Sequence, residues 1–360
     1  MHGTSTDEKK AFARKPGYVV ACSDLHIGHL ISLFTPDSEA MTVWHKAVQR
    51  SQHIVYVGDI YELLFIKKDK GADKKETVEN AIAAGLLDLE RQLKTHPDKF
   101  FHFVLGNHEN LKDFRAGLDA LARYPNFEWH PEAIKIGETI FTHGDLQKAK
   151  HGKNDTERPM SDIDDAAKAV KFTGTVAKLE DPATWVGKFY PNYTKRKNRA
   201  DTVALITFTA LAEAAQNGTE YNEDLASITS RNPDYKKLRE KLEKHYAHKT
   251  LHYREGGSEH MLDKAAWKQI LHIVSGHTHV PFTYHKMGAG SSKRFMHNTG
   301  AVTRGFSEEM GFIAAELREN GTLNDVVSYD DFQKKPDRAT YAQQLVNSGY
   351  GHAAEAAFSR

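Results

Sequence analysis

Five short clusters of aspartate, asparagine and histidine each follow a run of apolar residues in this sequence. The clusters are Asp24-x-His26, Gly58-Asp59, Gly106-Asn107-His108-Glu109, His143-Gly144-Asp145 and Gly276-His277-Thr278-His279. Carboxylate, amide and imidazole groups suit divalent transition metals, and no thiol is needed. Residues two apart in an extended segment point to the same side, so Asp24 and His26 can bind one ion together. A carboxylate such as Asp59 has two oxygens and can bridge two ions. The clusters therefore predict a metal site.

The elements that would position these clusters are short strands alternating with helices. Apolar runs that are rich in β-branched and aromatic residues predict the strands. They lie at 18–22, 54–57, 100–105, 133–136, 139–142, 270–275, 294–297 and 311–315. Residues 38–51 and 75–95 predict helices between the first three strands. Alternation of strand and helix indicates an α/β architecture, which places ligands at the carboxyl ends of its strands.

In this order, each after a predicted strand, the five clusters resemble the motifs of the calcineurin-like metallophosphoesterase superfamily. The resemblance covers residues 18 to about 145 and 270 to about 315. It implies an α/β (α+β) fold, a four-layer αββα sandwich with an inserted helical subdomain. The expected core is discontinuous, at 1–145 and 270–330, with a helical insertion or lid at 146–269 and a C-terminal tail at 331–360.

The resemblance also implies a site with two divalent metal ions. Manganese is the first expectation, with iron, zinc and cobalt as alternatives. Asp24, His26, Asp59 and His279 would hold one ion, and Asp59, Asn107, His143 and His277 would hold the other. His108 would face the substrate as a catalytic group, and Glu62, three residues after Asp59, would orient its ring. No substrate-binding residue is predicted.

The implied reaction is hydrolysis of a phosphomonoester, a phosphodiester or a pyrophosphate. A metal-bridging hydroxide would attack phosphorus in line, and His108 would act as general acid or charge stabiliser. The segments Ser-Asp-Leu-His-Ile-Gly-His, Gly-Asp-Ile-Tyr-Glu-Leu and Gly-His-Thr-His-Val-Pro are similar to the UDP-2,3-diacylglucosamine pyrophosphohydrolase branch. Two alternatives stay open at this point: a nuclease with the same metal site, and a non-catalytic scaffold that retains the fold.

Composition narrows the class of protein further. The 360 residues include 49 basic and 48 acidic side chains, so a net charge of +1 does not favour nucleic acid as a partner. The single cysteine excludes a disulfide framework and a cysteine-based zinc ribbon. No signal peptide or membrane-spanning stretch is recognisable, which predicts a cytoplasmic protein and leaves peripheral membrane contact open. The oligomeric state is not predicted.

Overall fold

The computed structural model describes the parts of the chain that carry most of the predicted strands. These are residues 6–29, 32–64, 66, 69–144, 162–169, 251–262, 264–277, 286–287, 294–302 and 312–328. The clusters that end at residues 26, 59 and 109 lie wholly within these ranges. Asp145, Thr278 and His279 lie outside them, as does the predicted tail.

A first sheet of six strands carries three of the five clusters. Its strands are β1 (Gly17–Cys22), β2 (His53–Val57), β3 (Phe100–Val104), β4 (Phe127–His130), β12 (Ile313–Leu317) and β13 (Leu323–Ser328). Their order across the sheet is β13-β12-β1-β2-β3-β4. Strands β1 to β4 are parallel, so their carboxyl ends meet at one edge, while β12 runs antiparallel to β1.

A second sheet of seven strands carries the other two clusters. Its strands are β5 (Ala133–Ile136), β6 (Thr139–Thr142), β7 (Leu251–Glu255), β8 (Ser258–Leu262), β9 (His272–Ser275), β10 (Lys286–Met287) and β11 (Arg294–Asn298). They follow the order β10-β11-β9-β6-β5-β7-β8. Because β6 and β9 are parallel neighbours, the clusters after Thr142 and Ser275 also leave the sheet side by side.

Helices cover the outer face of the first sheet. The described helices are α1 (Thr6–Phe12), α2 (Glu39–Arg50), α3 (Lys74–Thr95), α4 (Lys112–Leu121), α5 (Ile163–Ala169) and α6 (Lys264–Gln269). Ser38 and Asp73 begin α2 and α3 by accepting hydrogen bonds from the backbone N–H groups of Met41 and Glu76. Such side-chain caps satisfy N–H groups that have no partner within the helix.

Alternating residues of the strands build two apolar layers. Ile54, Tyr56 and Phe103 point outward and pack with Trp44 of α2 and Leu89 of α3. The intervening residues point inward and fill the space between the two sheets. They include Val19, Val55, Val104, Ile134, Phe141, Val274 and Ile313. The fold is therefore an α/β sandwich of two mixed sheets, as expected from the resemblance, and the described residues show its helical layer over the first sheet.

The core resumes earlier than the predicted end of the insertion at residue 269. Strands β7 and β8 form a hairpin, and β7 pairs with β5 in parallel, with Ala133 opposite Tyr253. These strands extend the second sheet, so residues 251–262 belong to it. Most of the remaining range lies outside the described residues, and a helical insertion there stays a prediction.

Within the described ranges, no helix combines the length and the apolar composition required to cross a membrane.

Candidate metal centre

The segments after β1 and β2 continue side by side past the end of the sheet. The backbone N–H of Asp24 donates to Gly58 O at 3.0 Å, and that of His26 donates to Asp59 O at 3.0 Å. These bonds extend the parallel pairing of the two strands into the two clusters. Asp24, His26 and Asp59 are consequently neighbours because of the same backbone geometry that pairs the strands.

Four of the predicted ligands have left-handed backbone conformations. The φ angles are 51° at Asp24, 46° at His26, 54° at Asp59 and 69° at His277. Among the described non-glycine residues, only Asp37 shares this property. Such conformations are uncommon for residues with a Cβ and concentrate at functional sites, where surrounding contacts hold them. Here the unusual φ angles occur where the chain leaves a strand and directs a polar side chain to the common edge.

Asp24, His26 and Asp59 form one ligand group, with an atom from each side chain within 4.8 Å of the others. The Nδ1 atom of His26 lies 3.0 Å from a carboxylate oxygen of Glu62, and its Nε2 atom lies 4.0 Å from Asp24 Oδ1. An ionised carboxylate only accepts hydrogen bonds, so Nδ1 carries a proton and Nε2 remains available as a ligand. Ligating histidines are commonly oriented by a carboxylate in this way.

Asp59, His143 and His277 form a second ligand group under the same distance limit. His143 donates from Nδ1 to Val57 O at 2.9 Å, because a carbonyl oxygen can only accept. Its Nε2 atom then lies 3.1 Å from Asp59 Oδ2 and 3.1 Å from Asn107 Oδ1. Three electron-rich atoms thus converge, an arrangement that requires a cation among them, either a second proton on the ring or a metal ion.

Asp59 is the residue common to these two groups, and its side chain is almost fully buried. Burial disfavours its charged form, but the charges of His143 and His108 outweigh that effect and lower the pKa of Asp59 well below its usual range. Its carboxylate is also fixed by the backbone N–H of His108, which donates to Oδ1 at 2.9 Å. An ionised, fixed carboxylate that belongs to both groups has the properties of a bridging ligand.

His26, Glu62 and His108 form a third group under the same distance limit, and in it Glu62 holds both rings. The Nδ1 atom of His108 is 2.8 Å from both carboxylate oxygens of Glu62, and its Nε2 atom is 4.0 Å from Asp59 Oδ2. Burial lowers the pKa of His108, but the charges of Glu62 and Asp59 more than compensate and raise it to about 10. Burial likewise opposes ionisation of Glu62, yet His108 and His26 lower the pKa of its carboxyl well below the ordinary value. The metal-free pair is therefore an imidazolium and a carboxylate.

Glu109 is a buried carboxylate that sequence reasoning left without a role. Its oxygens accept hydrogen bonds from the backbone N–H groups of Asp59 at 3.1 Å, Tyr61 at 2.7 Å and Gly106 at 3.1 Å. Burial and the charge of Asp59 raise the pKa of Glu109 to about 8, while the bonds from Tyr61 and Gly106 oppose that rise. Glu109 thereby ties the segment after β2 to the segment after β3. Its position as the last residue of the third cluster is the feature of the sequence that could have indicated a role at the site.

Two glycines of the clusters are required by close approach. A Cβ atom at Gly106 would overlap the backbone nitrogen and Oδ1 of Asp59. A Cβ atom at Gly276 would overlap Ser23 Oγ and Asp24 Oδ2. The side chains of the bridging and first ligands thus lie directly against the backbone of the neighbouring clusters, which explains why those clusters begin with glycine.

Comparison with known proteins adds no conclusion about this chain. No family model matches the chain, and no curated protein matches it. A dimetal phosphatase from Danio rerio of known crystal structure is 13% identical, with a TM-score of 0.34 over 85% of this chain and 94% of that chain. A likeness at this level carries no conclusion about activity. The case for a metal site therefore depends on the buried carboxylate and imidazole groups of this chain.

The structure brings most of the predicted site residues together. Six of the seven predicted ligands lie in the described residues and converge on the shared edge. They are Asp24, His26, Asp59, Asn107, His143 and His277. The backbone N–H of His277 donates to Asp24 Oδ2 at 2.8 Å, which joins the two sheets at this point. His279 lies outside the described residues, so its predicted role as a ligand stays a prediction.

Proposed function

We propose that this protein is a hydrolase of phosphoric esters or pyrophosphates that uses two divalent metal ions. The observation that carries the proposal is the convergence at His143, whose Nε2 atom lies 3.1 Å from both Asp59 Oδ2 and Asn107 Oδ1. Ligands about 2.1 Å from a metal ion in tetrahedral geometry are separated by roughly 3.4 Å, so the spacing fits a shared cation. The donor set of imidazole, carboxylate and amide suits manganese, iron, zinc or cobalt.

The residues that would hold the two ions form two groups with a common member. Asp24, His26 and Asp59 would hold one, with His279 as the predicted fourth ligand, and Asp59, Asn107, His143 and His277 would hold the other. Two bound divalent ions supply positive charge for phosphoryl oxygens and make water more acidic. Four of these ligands have left-handed backbone conformations at the edge where the strands end.

His108 would serve the leaving group. Its Nδ1 proton is committed to Glu62, so the Nε2 atom, which faces Asp59, is the atom available to a substrate. Without metal ions, the charges of Glu62 and Asp59 outweigh burial and raise the pKa of His108 to about 10, which favours a proton on Nε2 at neutral pH. Glu62 would orient the ring and stabilise its charge. His108 could then donate this proton to the departing oxygen as the ester bond breaks.

The class of phosphoester is a separate part of the proposal. The sequences of the clusters are similar to those of the UDP-2,3-diacylglucosamine pyrophosphohydrolase branch, so the pyrophosphate bond is one candidate for the bond that is hydrolysed. A monoester and a diester are the other two candidates. A panel of p-nitrophenyl phosphate, bis-p-nitrophenyl phosphate and a nucleoside diphosphate sugar would separate these three bond types.

The experiment that tests the proposal measures metal and hydrolysis in the same samples. Protein purified without chelator should contain close to two equivalents of transition metal by elemental analysis and should hydrolyse at least one member of the panel. Asp59→Asn should abolish hydrolysis and reduce the metal content, since it removes one charged oxygen from both ligand groups. Wild-type protein that binds no manganese, iron, zinc or cobalt would refute the proposal.

A further inference from the structure

We propose that Glu62 is a positioning residue for metal loading as well as for His108, because its one carboxylate holds both His26 and His108. This inference rests on the proposed function and goes beyond the pairing of Glu62 with the substrate-facing histidine. Its consequence is that occupancy of the ion held by Asp24 and His26 and the orientation of the His108 ring depend on the same side chain.

The contacts of Glu62 define this double role. One carboxylate oxygen, Oε2, lies 3.0 Å from His26 Nδ1 and 2.8 Å from His108 Nδ1. The two imidazole rings pack edge to face, with their centroids 4.8 Å apart, so one carboxylate contacts two rings that also contact each other. Both Nε2 atoms then point away from Glu62, that of His26 toward Asp24 and that of His108 toward Asp59.

Proton counting shows why a carboxylate is needed at this position. Glu62 accepts two hydrogen bonds from rings, so both Nδ1 atoms must carry protons. That requirement leaves His26 with a proton-free Nε2 in its neutral form, which is the form that binds a metal ion. If Nδ1 of His26 lost its acceptor, the proton could move to Nε2, and the ring would no longer be a ligand in the correct orientation.

Glu62 is itself held in place, so it cannot serve the two rings alternately. Its side chain is buried, Oε1 accepts from the backbone N–H of Leu64 at 2.9 Å, and its own N–H donates to Ile27 O at 3.0 Å. The latter bond belongs to the parallel pairing that extends β1 and β2. Glu62 is thus fixed by the same backbone segments that carry His26 and Asp59.

Glu62→Gln is the variant that separates the two roles. Glutamine keeps the shape but offers a single acceptor oxygen. Its amide N–H₂ would replace either Oε2, which both rings approach, or Oε1, which His108 and the N–H of Leu64 approach, so at least one present hydrogen bond is lost in either orientation. In protein stripped with a chelator, titration with Mn²⁺ should show one site weakened about 10–100-fold, as is typical for the loss of a partner of a ligating histidine. At saturating Mn²⁺, kcat should fall to about the level of His108→Ala.

A double-mutant cycle shows whether the weaker Mn²⁺ binding comes from His26 and the lower kcat from His108. His108→Ala alone should bind two Mn²⁺ ions with wild-type affinity, because His108 belongs to neither of the two groups proposed to hold the ions, the one with Asp24 and the one with His143. Glu62→Gln combined with His108→Ala should show the weakened Mn²⁺ site but no further loss of kcat at saturating Mn²⁺. Glu79→Gln, which removes an exposed carboxylate on α3, is the matched control and should leave both quantities unchanged.

Two outcomes would overturn the inference. One is Glu62→Gln that binds two Mn²⁺ ions with wild-type affinity, and the other is His108→Ala that weakens Mn²⁺ as much as Glu62→Gln does. If Glu62→Gln does not fold, Glu62→Asp takes its place, because a shorter carboxylate cannot reach both rings. Unchanged Mn²⁺ affinity and kcat in Glu62→Asp would overturn the inference as well. Failure of the proposed function is distinguishable, because it appears in the wild-type protein as absent hydrolysis.

Discussion

The side chain of Glu109 holds the backbone of Asp59, with Oε2 accepting the Asp59 N–H at 3.1 Å. The same oxygen accepts from Gly106, and the other oxygen accepts from Tyr61. A single buried carboxyl group therefore accepts hydrogen bonds from three backbone N–H groups at the point where the clusters after β2 and β3 begin. This arrangement makes Glu109 a support of the site that lies behind the ligands and does not belong to either ligand group.

Glu109→Gln should destabilise the protein and weaken metal binding together. The amide N–H₂ of glutamine would face at least one backbone N–H that now has an acceptor, and a buried donor without a partner costs about 1–3 kcal/mol. Urea unfolding of chelator-treated protein at about pH 9, above the pKa of about 8 at which Glu109 ionises, would measure the free energy of unfolding. Glu79→Gln, with the same change at an exposed position, should stay within about 0.5 kcal/mol of wild type. Equal stability of the two variants would contradict this role for Glu109.

Gly106→Ala should impair metal binding through the bridging ligand. The added methyl group would occupy the space of the Asp59 nitrogen and Oδ1, so the segment carrying Asp59 must move. Calorimetric titration with Mn²⁺ should show weakened binding of both ions. Gly71→Ala is a useful comparison, because a Cβ there meets nothing within 4 Å and any cost comes from its φ of 88°. That variant should bind Mn²⁺ as the wild type does, and equal weakening in both would argue against the proposed contact.

His108→Ala should lower turnover in a way that depends on the leaving group. Loss of a general acid typically costs about 10²–10⁴-fold, and the loss matters most when the departing oxygen is strongly basic. The rate with phenyl phosphate should therefore fall much more than the rate with p-nitrophenyl phosphate. Steady-state kcat values for the two substrates at saturating Mn²⁺ would test this expectation. Equal losses for both substrates would assign His108 to charge stabilisation or substrate binding.

Stability should decline as the pH falls below about 6.5, because several histidines are buried in their neutral form. Burial, reinforced by the neighbouring His102, lowers the pKa of His53 to about 3, and burial lowers that of His272 to about 4. Between these values and the ordinary 6.5, the unfolded chain binds more protons than the native one. Each such histidine then removes about 1.4 kcal/mol of stability per pH unit.

The pH effect can be assigned to one residue by its slope. Urea unfolding of the metal-free protein between pH 7.5 and 5.0 would give the free energy of unfolding against pH for wild type and His53→Gln. The variant should show a slope that is shallower by about one proton, whatever its absolute stability. His45→Gln, at an exposed position on α2, should keep the wild-type slope. Parallel curves for wild type and His53→Gln would contradict the prediction.

Local patterns were sufficient to predict the strands that carry the clusters. The predicted 18–22, 54–57 and 100–105 correspond to β1, β2 and β3 within one residue at each end. These strands are runs of β-branched and aromatic residues, and they are buried on both faces. Strands β7 and β8 were not predicted, since their sequences Leu-His-Tyr-Arg-Glu and Ser-Glu-His-Met-Leu carry several charges. Their strand conformation depends on pairing with each other and with β5.

The amino-acid sequence by itself determined which side chains could bind metal and which short strands would present them. Only the tertiary structure decided that these side chains meet. Asp24 Oδ2 accepts from the N–H of His277, 253 positions away, and Glu62 holds both His26 and His108. Local propensity specifies where the backbone is extended and where it turns. Which strands become neighbours depends on burying the apolar faces of two sheets against each other and against the helices, and that choice brings the two ligand groups together around Asp59.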